Sequence, residues 1–513
     1  MLAVLAVYVL RLNNVAGLMV DDGWYLVLAR ALAEGRGYRL ISSAASEIFP
    51  LYPPGLPAML SLIFRIWPDF PQNVWLLKSV SVSAMLGVAY LSFLYLHDHR
   101  RAPMDLALCT AAAIALTPAF VFLATSTLMS ECLFTCFQLA GVVLLHRSVE
   151  SPEGQRGSRL AIAAAISASA AVLVRSAGIA LVVASVLWLA KARHWKRCAL
   201  FVSVAAVCLV PWTLYKGAHS PSESQRIAHG GAVVYDYADQ LWMRWAGSPS
   251  FGRATVADLP ARVRTNLIDV FARDMTGIFT PALLRGSAES GEEVVALGGK
   301  VGLTAGGMGG APLTMAISLI LSGVVVFGYV VTVRQRLTVA ELLVPISLVI
   351  TLLWPFWSFR FVLPLAPFLY VYWTAGLRMV ALGSAKAVRI GMLCLIGLNL
   401  TDHAGYVLRA NGTGDPSQIQ WLADAERLDA ALLWMKAALP DNGVLASTNP
   451  GLVYMRTDRK GIAFDDPFAD PEVLKKQGIR YVASLLPSDL PSSPPWRYQV
   501  LYCEARLWII ELK

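Results

Sequence analysis

Charge is what this chain has little of. Lys, Arg, Asp and Glu make up 15% of its 513 residues, against about 25% in soluble globular domains. That shortage excludes an ordinary water-facing surface, and the complementary excess is apolar, at 56% hydrophobic residues. Cysteine is sparse as well: there are seven, and all but Cys503 fall in apolar segments. No disulfide framework or zinc spacing follows from them; Cys132 and Cys136 share a helix face at i,i+4 but read as small hydrophobes. The seven histidines supply no metal motif, since His97, His99, His146 and His194 lie in or beside basic loops and none pairs with a cysteine at ligand spacing. Internal repeats, a GxxxxGK[ST] phosphate loop and a small-residue cleavage site behind the first apolar segment are missing too. The net charge of +9 is scattered between apolar runs without forming a patch, which argues against nucleic acid as a partner.

Long apolar runs are what the chain has instead. Many approach or exceed the ~18 residues of a bilayer span, so the expected fold class is an all-α polytopic membrane protein. Spans are expected near 1–18, 74–96, 105–124, 128–146, 160–174, 177–190, 198–214, 312–333, 338–354, 361–380 and 388–402, about eleven in all. The first is short and contains Arg11, which fits a complete anchor or a start lying further upstream. Basic clusters at 97–101, 146–159, 191–197, 333–336 and 378–389 belong on the cytoplasmic side by the positive-inside rule. Residues 160–190 would be ~46 Å long as one helix, more than a ~30 Å bilayer core. A tight hairpin with Arg175 at its outer tip keeps the flanking clusters on one side. Segment 55–67, too short for a comfortable span and carrying Arg65, reads as an interfacial helix.

Two stretches are long enough to leave the membrane. The loop 215–311 holds a glycine-rich run, 296–312, that reads as a flexible loop or a flap. The tail from 403 combines a helical pattern at 418–440 with strand-like runs at 444–447, 460–464, 479–486, 498–503 and 506–512. A capped helix is expected at 470–478. The expected organisation is a transmembrane domain over 1–402, with outer loops 19–73 and 215–311, and a small extracytoplasmic α/β domain over 403–513.

The chemistry-bearing residues follow the first segment. Asp21 and Asp22 precede an amphipathic run from Trp24 to Ala33 that contains Tyr25, then Gly35, Gly37 and Tyr38, then LYPPGLPAML at 51–60 with Tyr52. This order resembles the first outer loop of the polyprenyl-phosphate-dependent glycosyltransferases of the GT-C fold, among them the protein O-mannosyltransferases and the aminoarabinose transferases. LATSTLMSECLF (123–134) with Glu131, LVRSAGIAL (173–181), LVPWTLY (209–215), FRFVLPLAPFLYVY (359–372), NPGLVYMRTDRKG (449–461) and LKKQGIRYVASL (474–485) are similar to further segments of that family, in order along nearly the whole chain.

The resemblance implies a sugar transfer from a polyprenyl-phosphate-linked donor to a glycan, lipid or protein acceptor on the outer face of a bacterial inner membrane. It places Asp21 at the catalytic carboxylate and Asp22 at the second acid, which orients Asp21 or the acceptor or shares a divalent cation; no cofactor beyond that is implied. Arg175 and Arg360 stand alone in short outer loops, against the positive-inside bias, and fit a phosphate clamp, since guanidinium matches phosphate geometry. Tyr25, Tyr52 and Glu131 are candidate substrate contacts, Glu131 being as well suited to capping a helix. Membrane lipids are the other expected partner. A multi-span transporter or lipid flippase is the alternative, with a non-catalytic scaffold behind it; transporters commonly show repeats and broken midplane helices, and neither is evident in the sequence.

Overall fold

The computed structural model describes all residues except 153, 230–231, 282–310, 413–418, 441–443, 464–473, 475–477, 487 and 489–497. The apolar runs form helices, as backbone groups in lipid must bond within their own segment. Among the described residues five are long and apolar enough to cross a membrane: Val74–His99, Glu131–Glu150, Gln155–Val174, Trp195–Ala218 and Met315–Gln335. Met104–Ala115 and Pro118–Ser126 make a sixth if counted together, although Pro118 breaks the pair by 48°. Val339–Leu353, Ala366–Val380 and Ala385–Gly412 occupy the later expected spans. The chain is a polytopic membrane protein, but the count of eleven spans is not reproduced. The first expected span shrinks to a ten-residue helix, Leu2–Arg11, whose arginine is buried against Tyr406 and His403.

The five basic clusters converge on one end of the bundle. Arg147 bridges to Asp98 at 2.9 Å, Arg336 approaches Glu150 at 4.0 Å, Arg100 pairs with the buried Glu341, and Arg389 bridges to Asp105 at 2.7 Å. Arg197 donates to the carbonyls of Val149, Ser151 and Pro152. That last contact settles the 160–190 segment: its two flanking clusters touch, so the chain goes up and returns. The turn is Arg175, in extended conformation between Gln155–Val174 and Ile179–Lys191. Gly178 sits so near the preceding helix that a Cβ there would stand 2.6 Å from the amide nitrogen of Val172, which only glycine permits. Segment 55–67 forms the helix Gly55–Ile66. At about 18 Å it cannot cross, and it packs against the helix Val20–Ala33.

The expected loop 215–311 is more structured than its composition suggests. It carries Glu223–His229, Tyr237–Leu241 and an almost continuous helical run from Leu259 to Phe279. Of the glycine-rich run, residues 296–310 lie outside the described residues.

The tail folds as expected, around a five-stranded mixed sheet. The strands are β1 Val444–Ser447, β2 Gly461–Ala463, β3 Ile479–Ser484, β4 Tyr498–Glu504 and β5 Leu507–Leu512, in the order β2-β1-β3-β5-β4; β2, β1 and β3 run parallel, β3, β5 and β4 antiparallel. The helix Gln420–Ala438 matches its expected position, whereas the one expected at 470–478 lies almost wholly outside the described residues. The helix Ala385–Gly412 runs on past residue 402 without a break.

A helix not expected from the sequence, Pro450–Thr457, joins the tail to the membrane part. Asn449 caps it by accepting from the Leu452 amide, and Pro450 opens it, a favourable start on both counts. It lies across the helix Val20–Ala33 with two glycines at the crossing. A Cβ on Gly451 would come within 2.7 Å of the Gly23 backbone, and one on Gly23 within 2.8 Å of the Leu452 nitrogen. Backbone cannot yield, so Gly451→Ala is expected to cost about 1–3 kcal/mol and to loosen the helix that carries Asp21. Thermal unfolding in detergent together with limited proteolysis of the tail checks this; a wild-type pattern in both would show that the crossing is not tight.

Candidate active site

The site forms at the end of the bundle opposite the basic clusters. The helix Val20–Ala33 begins after extended Met19, with Asp21 and Asp22 in its first turn, where unpaired amides and the helix dipole favour acids. Successive helical residues diverge by about 100°, so the two carboxylates part company. Asp22 turns inward and is fully buried. Its Oδ2 accepts from the Gly17 amide and its Oδ1 from the Leu128 amide, both at 3.1 Å. It thereby ties together the chain before the helix, the helix itself and the 127–130 loop. Asp21 turns outward and keeps 29% side-chain exposure.

Asp21 stands at the head of a continuous polar chain. Tyr52 donates to its Oδ1 at 2.8 Å, and Arg360 Nη2 to its Oδ2 at 3.2 Å. Arg360 Nε donates to Glu131 Oε1 at 2.6 Å, and the same oxygen takes Arg175 Nη1 at 2.8 Å. Arg175 also donates to Ser130 Oγ at 3.1 Å, which in turn accepts from the Tyr25 hydroxyl at 3.2 Å. The Arg175 guanidinium faces the Phe361 ring at 5.2 Å, and Tyr25 meets Tyr52 edge-on at 5.2 Å.

Three breaks in helical structure make this possible. Arg175 occupies the hairpin turn. Glu131 opens the helix Glu131–Glu150 after a non-helical stretch. Arg360 sits in the short helix Phe359–Val362, which follows Pro355-Phe356-Trp357 and precedes Pro364.

The sequence-selected residues Asp21, Tyr25, Tyr52, Glu131, Arg175 and Arg360 are therefore together, and Asp22 is adjacent but faces away. With both oxygens committed to backbone amides, Asp22 does not fit a cation shared with Asp21. Glu131 is fully buried, and its Oε2 has no hydrogen-bond partner among the described residues. Two carboxylates and two guanidiniums balance the charge of the cluster. Burial, reinforced by the charge of Asp21, holds the Tyr52 and Tyr25 hydroxyls well above their ordinary pKa, so both remain donors.

Ser130 and Tyr237 were not selected from the sequence. Tyr237 reaches the cluster from the long loop and lies within electrostatic range of Arg175, Asp21 and Arg360. Nothing in the local sequence YDYADQ distinguishes it from a structural tyrosine.

Asp22 carries a pH signature. Burial pushes its pKa up to about 7, against the pull of its two amide donors. The folded state thus holds the proton more tightly than the unfolded chain does. The linked stabilisation is complete below the ordinary carboxylate range, near ~4, and is lost as pH rises through about 7. The melting temperature of the wild type is expected to fall between pH 5 and pH 8. Asp22→Asn is expected to flatten that slope while lowering stability overall, since one of the two amides loses its acceptor at about 1–3 kcal/mol. An unchanged slope in the variant would place the titrating group elsewhere.

No family model and no curated protein matches the sequence. Solved structures do match. The archaeal oligosaccharyltransferase AglB from Archaeoglobus fulgidus, in complex with an inhibitory peptide and a dolichol-phosphate, aligns at 14% identity and a TM-score of 0.51, over 94% of this chain and 69% of that one. The same organism's oligosaccharyltransferase tethered to an acceptor peptide aligns at 12% and 0.51, over 90% and 64%. ArnT from Cupriavidus metallidurans, bound to undecaprenyl phosphate, aligns at 14% and 0.47, over 99% and 96%. At such identities the archaeal enzyme's likeness is one of fold, and the fold is the GT-C fold that the sequence resemblance implied.

Proposed function

We propose that this chain is an integral-membrane glycosyltransferase that moves a sugar from a polyprenyl-phosphate carrier to an acceptor on the outer face of a bacterial inner membrane. The observation that carries the reading is the chain Asp21–Arg360–Glu131–Arg175: one partly exposed carboxylate beside two guanidiniums that a buried acid holds in place. It lies at the end of the bundle opposite the basic clusters, which the positive-inside rule puts in the cytoplasm. The GT-C fold, shared with enzymes whose structures hold lipid phosphates, supports the same reading.

The reaction is a single inverting displacement. An acceptor hydroxyl or amine attacks the anomeric carbon as Asp21 takes its proton. The bond from that carbon to the phosphate oxygen breaks with its electron pair, and polyprenyl phosphate leaves without needing a proton. A glycosidase requires a second carboxyl as acid because an alkoxide leaves poorly; here one base suffices. Arg360 and Arg175 stabilise the charge that grows on the phosphate. In the structure Arg360 also donates to Asp21 Oδ2. A donor phosphate taking that hydrogen bond frees the oxygen to meet the acceptor proton. Tyr52 keeps its orientation, and Asp22 acts as a positioning residue that anchors the helix.

Mass spectrometry of lipid-linked sugars and envelope glycans tests the reading in cells. Removing the protein is expected to raise one polyprenyl-phosphate sugar and to deplete that sugar from one envelope product. An unchanged pool of every lipid-linked sugar would contradict it.

A further inference from the structure

At the opposite, basic end of the bundle two histidines are buried for no reason that the transferase reading supplies. His99 and His146 are 7% and 2% exposed, and their rings stack at 4.9 Å. None of their four ring nitrogens makes a hydrogen bond among the described residues. Tyr95 and Trp188 close over them, Trp188 at 4.9 Å from the His146 ring. Buried polar groups almost always have partners, so ring nitrogens without one on both histidines signal a missing partner. Glu150 stands beside them, its Oε2 at 3.2 Å from His99 Nδ1.

We propose that His99, His146 and Glu150 form a binding site for a divalent transition metal of the zinc class, at the basic end of the bundle. His146 and Glu150 lie at i,i+4 on the helix Glu131–Glu150, which puts both on one face. His99 closes the π-helical turn Tyr95–His99 that ends the helix begun at Val74. Such turns are rare and occur often at functional sites. One ligand atom from each of the three residues lies within 4.8 Å of the others. Zinc bonds of about 2.0–2.1 Å to nitrogen and oxygen put tetrahedral ligands about 3.3 Å apart. The His99–Glu150 pair already has that spacing, and the other pairs, within 4.8 Å, close by up to about 1.5 Å through side-chain adjustment.

Two imidazoles and one carboxylate suit zinc, iron or cobalt, whereas magnesium and calcium prefer all-oxygen sites. His99 and Glu150 border a cavity of about 410 Å³ lined also by His97, Asp98, Arg101 and Arg147. Two of the neighbouring cations are matched: Arg147 is bridged to Asp98 and Arg100 to Glu341. Arg336 approaches the other Glu150 oxygen at 4.0 Å. The site lies about 22 Å along the helix from Glu131, so the ion takes no part in the transfer chemistry. It pins the ends of the helices that carry His99 and His146.

The test uses the full chain in detergent, with any affinity tag removed and bound metal stripped by EDTA, titrated with zinc chloride. One zinc per chain is expected by elemental analysis, with a rise in melting temperature and, with cobalt(II) in its place, visible d–d absorption. His99→Gln and His146→Gln should each weaken binding by at least about 100-fold, more than the 10–100-fold effect of an outer partner. His97→Gln, which lines the same cavity, should bind as wild type. Glu150→Gln, at an exposed position, should fold normally and lose at least about tenfold, so it decides the matter even if a histidine variant does not fold. No stoichiometric zinc on the wild type, or wild-type affinity in Glu150→Gln, would overturn the proposal.

Discussion

Asp21→Asn is expected to lower the rate of sugar transfer by about 10²–10⁴-fold, the range that a positioned general base contributes. Asparagine keeps the shape of the side chain and its single oxygen can still accept from Tyr52 or from Arg360, which bond different oxygens of Asp21, but it cannot take a proton. The fold should therefore survive: melting temperature and detergent elution should match wild type, because Asp21 is partly exposed and Glu131 still holds both arginines. Donor binding should survive too, since no phosphate contact is removed. A loss confined to turnover is the signature of a base. If transfer continued at the wild-type rate, the base would have to be another residue, and Glu131 could not serve, because its ionised form is locked between two guanidiniums.

Arg360→Ala has the second largest expected effect, and it acts on two levels. Arg360 is 13% exposed and bonded to a fully buried glutamate. Breaking a buried pair by removing one partner costs about 3–5 kcal/mol. The lower end applies here, as Arg175 stays on the same Glu131 oxygen. The second level is donor use. A charge-assisted hydrogen bond is worth about 1.5–3 kcal/mol, so the donor KM should rise by about 10–100-fold while the acceptor KM moves little. Arg360→Lys separates the levels. It restores charge but not the fork that reaches Glu131 and Asp21 together, so it should recover stability better than donor affinity. A rise in acceptor KM with donor KM unchanged would remove Arg360 from the phosphate.

Legibility in the sequence varied with the physics behind each feature. The helices were readable because lipid imposes apolar length, and the sidedness because basic clusters repeat between spans; all five clusters met at one end. The hairpin at Arg175 was readable from length and charge together, since 31 residues overshoot a bilayer and a return keeps both flanking basic clusters on one side. The number of crossings was not readable. The helix Leu2–Arg11 has ten residues where a longer run was expected, and Pro118 divides another, and neither shows in an average over composition. Arg175 and Arg360 were found as lone arginines in short outer loops, against the positive-inside bias, whereas Asp21, Glu131, Tyr25 and Tyr52 were found through the resemblance to the GT-C enzymes. The different fates of Asp21 and Asp22 were not predicted from the sequence, although helical geometry turns neighbours apart; which one faces inward depends on amides from Gly17 and Leu128. Ser130 and Tyr237 carry no sequence signal, because their roles come from contacts with residues distant in the chain, such as Tyr25 and Arg175 for Ser130. The Gly23–Gly451 crossing was hidden for the same reason. His99, His146 and Glu150 gave no metal spacing in the sequence, since one of the three comes from a different helix.

The most direct measurement uses purified protein in detergent or nanodiscs with a labelled polyprenyl-phosphate sugar and an envelope extract as acceptor source, wild type beside Asp21→Asn. The expected result is release of polyprenyl phosphate with loss of label from the lipid by the wild type, and donor binding without release by Asp21→Asn. Label that stays on its lipid with the wild type, or that leaves equally fast with both proteins, would contradict a carboxylate-driven transfer at position 21.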